Sequence, residues 1–232
     1  MGVPVTTKLP CSRCGALILP ATAARTGGLC MPCSSDPEGG RRKRLEATST
    51  AELLRQLDDA VHRAIEAAAI DAVAALASER IYGFFLLHYI FQSCRAAVLT
   101  EARRERSKQN EQKWSPVDCG YYFYREDLFE EPNRLLSPLE GRGQEEQVAR
   151  IFVRAMLHVR RNVITNPRIV LSVMDYTEGP GVPFFAYAEL FNDAETLARL
   201  RAELYPGSHW DYLDLERSRV PKLSDGGLAG GA

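Results

Sequence analysis

The chain has no run of roughly eighteen consecutive apolar residues, so the sequence contains no candidate membrane-spanning helix. Its most apolar stretch, IYGFFLLHYIF from Ile81 to Phe91, is too short for that and reads as a buried strand. The start, MGVPVTTKLPCSRC, has neither a basic region nor an apolar core of the kind a secretory signal needs. A cytoplasmic protein is therefore expected. An excess of charge of either sign is missing too. The formal net charge is -1 and the pI about 6.5, so no overall field draws the chain to nucleic acid or to anionic lipid. Phosphate-binding and hydrolase signatures are absent: there is no P-loop, no G-x-G-x-x-G, no G-x-S-x-G and no H-E-x-x-H. Histidine is scarce, and His62, His88, His158 and His209 form no motif that would supply a catalytic base.

Cysteine is also scarce, but its placement is informative. Of six cysteines, four fall in CSRCGALILPATAARTGGLCMPC, where Cys11, Cys14, Cys30 and Cys33 are spaced C-x2-C-x15-C-x2-C. Each C-x-x-C bend offers two thiolates to one side of a tight turn. Two such bends facing each other complete the tetrahedron of a structural Zn2+ site. Gly15 suits the first bend because a glycine takes a positive φ at little cost. The apolar run Ala16–Leu19 and the turn residues ending in Gly27-Gly28 suggest a small ribbon with a reversing loop. A redox C-x-x-C centre would call for a βαβ setting, which is not evident. Disulfides are rare in a reducing compartment. Four cysteine ligands leave no open coordination position, so the metal is expected to hold a fold and not to catalyse. No catalytic and no organic-cofactor residue is assigned. Cys94 and Cys119 stand alone among apolar and aromatic neighbours and read as buried thiols.

The organisation that follows is a zinc ribbon over 1–36, a basic linker over 37–49 carrying Arg41, Arg42, Lys43 and Arg44, an α+β domain over 50–215 and a disordered tail over 216–232. Ser49 or Thr50 caps a helix whose Leu53, Leu57, Val61, Ile65 and Ala68 recur at helical spacing. Strands are expected at Arg80–Ile90, Cys94–Thr100 and Arg168–Asp175, the last pairing with Phe184–Leu190 as a hairpin. Helices are expected at Arg142–Arg161 and after Asp193, and KWSPVDCGYYFY over 113–124 is an aromatic insert. Consecutive strands with short connections predict a mainly antiparallel sheet with helices on one side.

The phrases ERIYGFFLLHY, AAVLTEA, KWSPVDCGYYF and RIVLSVMDYTE, with a long helix before the last, resemble the bacterial domain of unknown function 4303 family over Glu79 to Asp193. The Lys113–Pro116 phrase is the most specific part. The chain departs from the family pattern at Cys119, where a second tryptophan is expected. Similar domains occur beside bacterial toxin–immunity genes, so the resemblance implies an intracellular, immunity-like, protein-binding role and carries over no catalytic residue. Two other readings stay open. One is nucleic-acid binding through the ribbon and the Arg41–Arg44 run. The other is an enzyme built on Asp118, Cys119, Asp175 or Glu178, although a carboxylate at a strand end is ordinarily a cap or turn residue.

Overall fold

The computed structural model describes residues 8–13, 15–35, 45–89, 91–107, 113–116, 120–175 and 184–204. They fall into two compact units, divided between Leu53 and Leu54.

The first unit is built from two-residue strands and short helices. Strands β1 (Leu9–Pro10) and β2 (Leu17–Ile18) pair antiparallel, and helices α1 (Pro20–Thr26) and α2 (Met31–Ser35) follow. The expected reversing loop between the cysteine pairs is thus largely a helix. Pro20 opens α1, where a missing N–H costs nothing. Gly27, at φ +64°, closes it in the left-handed conformation and donates its N–H to the Ala23 carbonyl.

The second unit is α+β. Helix α3 (Thr50–Ala75) begins at Ser49, whose hydroxyl accepts the Glu52 N–H, and buries Leu57, Val61, Ile65 and Ala68 along one stripe. Strands β3 (Ile81–Tyr89) and β4 (Ser93–Thr100) form an antiparallel hairpin. Its turn is tight enough to hold Phe91 at φ +59°, a conformation bulky residues rarely take. The short helix α4 (Glu101–Ser107) leads away from the sheet. Strand β5 (Gly120–Tyr124) comes next, then helices α5 (Glu130–Leu136) and α6 (Glu145–Asn162), strand β6 (Val170–Asp175), and helices α7 (Phe184–Ala188) and α8 (Ala194–Leu204). The sheet order is β5-β4-β3-β6. Two of its pairings are antiparallel and β3–β6 is parallel, the crossover between those strands running through α4, α5 and α6.

Three expectations need correction. Phe184–Leu190 is not a strand. Phe184–Ala188 is a helix turn with all five residues buried, and a short run that is apolar on every side carries no period to tell helix from strand. The helices do not lie on one side only. Phe184, Phe185, Ala188 and Leu200 pack on the face of Phe85, Leu87, Leu99 and Val170, while Phe152 of α6 meets His88 on the other face. The aromatic insert supplies an edge strand, β5, which pairs antiparallel with β4, Tyr121 opposite Val98 and Tyr124 opposite Ala96, while the two tyrosine hydroxyls donate to Glu79 and Asp71 at 2.6 Å each. Trp114, from the same stretch, belongs to the core. Its ring packs edge-on against Tyr82 and its indole N–H donates to Glu203 at 3.0 Å.

The other edge of the sheet ends in a side chain. Asn192 accepts the Leu171 N–H through its Oδ1 at 3.0 Å and donates its Nδ2 to the Leu171 carbonyl at 2.8 Å. That amide takes the pairing groups a further strand would use. Arg160 of α6 anchors the adjoining loop. Its guanidinium donates to the carbonyls of Ile164, Asn166, Ile169 and Phe191 and to Asn192 Oδ1.

Candidate metal centre

The first unit brings three of the four predicted ligands together. The Sγ atoms of Cys11, Cys30 and Cys33 all lie within 4.8 Å of one another. Cys14 lies outside the described residues. A tetrahedral Zn2+ with sulfur at 2.3 Å has ligand–ligand edges of about 3.8 Å, so the observed convergence is close to what such an ion needs. Cys11 and Cys33 are 3% and 1% exposed and Cys30 8%. Ile18 packs with them, and Ala23 and Leu29 line the rim.

Local backbone geometry explains the convergence. Cys11 ends β1, and its N–H reaches the Ala16 carbonyl while Gly15 donates back to the Cys11 carbonyl, closing a tight bend. Gly15 sits at φ +74°, as the sequence predicted for this position. Ser12 N–H donates to the Gly28 carbonyl and ties the bend to the end of α1. The second pair straddles the entrance of α2 and not a second hairpin. Cys30 N–H points at Cys11 Sγ at 3.1 Å, and Cys33 N–H points at Cys30 Sγ at 3.4 Å. Arg13 adds a side-chain bond to the Cys33 carbonyl at 3.0 Å, joining the two bends directly. The unit also leaves Leu9, Leu17, Leu19 and Met31 between 44% and 66% exposed.

Of the remaining catalytic candidates, only Asp175 lies among the described residues. Asp118, Cys119 and Glu178 lie outside the described residues, as does the Arg41–Arg44 run. Asp175 ends β6, and the register places it beside His88, which in turn faces Cys94. The hairpin turn sets this row, and sequence reasoning missed it because residue spacing does not reveal which strands adjoin. Thiol, imidazole and carboxylate in that order are the members of a nucleophilic triad. Here, however, Cys94 is wholly enclosed and burial pushes its thiol far up. Neither nitrogen of His88 has a hydrogen-bond partner among the described residues. A thiol that stays protonated and is not handed to a base is a core residue, not a nucleophile.

No family model matches the chain, and no curated protein or solved structure matches it. Among the described residues no helix is long and apolar enough to cross a membrane.

Proposed function

We propose that the first unit is a structural zinc module held by Cys11, Cys14, Cys30 and Cys33, and that the chain is a non-enzymatic, intracellular protein whose task is to bind another protein. The observation that carries the proposal is the convergence of three buried cysteine sulfurs, two of them receiving backbone N–H groups. Zinc is the ion this donor set favours, since an all-thiolate tetrahedron suits it and leaves no site for substrate. When bound, it supplies a cross-link between the β1 bend and α2, in a unit too small to fold on its apolar core alone.

Protein binding is supported by Leu9, Leu17, Leu19 and Met31, four large apolar side chains of this small unit that stay about half exposed. Apolar groups left outside on so small a unit are costly unless a partner covers them. The immunity-like role fits this reading, because it asks for recognition and for no chemistry.

Metal analysis of the purified chain tests the first part. One zinc per chain is expected, with most of it lost in Cys30→Ser, and a metal-free wild type would refute the module. For the second part, a partner would be cross-linked in cells, identified, and titrated with the purified chain. Leu17→Asp and Met31→Asp should each weaken that complex by at least tenfold while zinc content is unchanged. Unaltered affinity in both variants would refute the apolar surface as the docking site.

A further inference from the structure

We infer a second binding site, for a small anion with an apolar body, in a cleft at the opposite end of the sheet from His88. The cleft has a volume of about 650 Å3, within the range of small-molecule pockets. It lies where β3 begins and where the loop ahead of β6 passes the end of α3.

Three arginines line it, Arg80, Arg168 and Arg199, against a single acidic residue, Glu101. That carboxylate already has a cation, since Arg104 pairs with it at 3.2 Å. Arg168 bonds through its backbone alone, its N–H to Asn166 and its carbonyl to Arg199, and its guanidinium has no hydrogen-bond or ion-pair partner among the described residues. Arg199 gives one nitrogen to the Arg168 carbonyl at 2.8 Å, and its charge also acts on Asp193. Arg80 pairs with Glu105 at 3.1 Å, but both side chains are about two-thirds exposed or more, and such pairs are worth little and are readily exchanged. The charge left over is positive, in a geometry that suits the forked recognition of carboxylate or phosphate oxygens.

The rest of the wall is apolar. Val73, Ala77, Ile81 and Val163 contribute to it, and Val73 is 41% exposed. A free inorganic anion would leave that surface wet, so the fitting ligand carries an apolar group beside its charge.

The cationic wall is held in place beforehand. Loop 163–169 has five successive anchors on its carbonyls. Arg160 takes those of Ile164, Asn166 and Ile169, Thr196 takes that of Pro167, and Arg199 takes that of Arg168. A loop fixed this way presents Arg168 without paying ordering entropy on binding.

The test uses the full chain and three probes of matched shape: 1-naphthyl phosphate, 2-naphthoate and the neutral 2-naphthol, titrated by calorimetry at low salt. Saturable one-to-one binding of at least one anion, with 2-naphthol weaker by at least tenfold, is expected. The tighter of the two anions identifies the headgroup. Arg168→Gln and Arg199→Gln should each lose about tenfold in affinity, the usual scale for one charge-assisted hydrogen bond, while Arg150→Gln on α6 should not change it. Far-ultraviolet circular dichroism and the melting temperature of each variant confirm that folding is intact. Failure of both anions to saturate, equal binding of 2-naphthol, or unchanged affinity in both cleft variants would overturn the site.

Discussion

His88 and Asp175 stand opposite each other on neighbouring parallel strands, yet neither imidazole nitrogen has a hydrogen-bond partner among the described residues. Burial drives His88 down to about 4 from an ordinary 6.5, and the negative charge of Asp175 pulls it back only in part. The folded chain therefore keeps this imidazole neutral. The unfolded chain takes up a proton near pH 6.5. Stability is unaffected above that pH and falls by about 1.4 kcal/mol for each unit between 6.5 and 4 on this account alone. Denaturant titrations at pH 7.5, 6 and 5, followed by Trp114 fluorescence in a Trp210→Phe background, should show this slope. His88→Leu should be flatter over the same interval. Parallel curves for the two chains would refute the assignment.

Arg160 predicts a second effect. Its guanidinium satisfies four backbone carbonyls and one amide oxygen. Arg160→Ala strands those acceptors, at a cost of about 3 kcal/mol or more. Arg160→Lys should recover little, because a single ammonium cannot span the fork. Hydrogen exchange at Ile164 and Ile169 should accelerate in both variants, and unchanged protection would refute the anchoring role.

Gly120 predicts a third. A Cβ at this position would meet the Val98 carbonyl oxygen at 2.8 Å and the Pro116 carbonyl oxygen at 3.0 Å. Both are backbone atoms and neither can swing aside. Gly120→Ala should destabilise the second unit by about 1–3 kcal/mol, the usual range for overpacking. Thermal melts of the variant would measure it, and a wild-type melting temperature would show that β5 yields more easily than its neighbours suggest.

Cys94 gives a fourth. Enclosed and held protonated, it should resist alkylation in the native state. Iodoacetamide labelling followed by peptide mass analysis should leave Cys94 unmodified until denaturant is added. Rapid native labelling would reopen the thiol–imidazole–carboxylate row as a reactive centre.

Periodicity made much of this legible. Leu57, Val61 and Ile65 marked α3, Val148 to Val159 marked α6, and Asp193, whose carboxylate accepts the Thr196 N–H at 2.7 Å, marked the start of α8. The β-branched and aromatic runs marked β3, β4 and β6. What sequence could not supply was adjacency. Phe184–Ala188 is apolar in every direction, so neither period appears. Tyr121 and Tyr124 pair with β4, and their hydroxyls reach Glu79 and Asp71, partners more than forty residues away. At the metal centre the ligand spacing and the Gly15 bend were readable, whereas α1 between the cysteine pairs was not, its proline and alanines having suggested a turn. Arg160 lies in the last turn of α6, and its spacing alone does not say which way it faces. Only the fold shows that it faces inward.

The amide of Asn192 has a consequence for encounters with other chains. A sheet with bare edges can be extended from either side by any strand that arrives. Along β6 an incoming strand would have to evict Asn192 from both Leu171 groups, and with it one of the contacts that holds Arg160. One carboxamide thus makes recruitment of foreign strands at that border a partial unfolding event.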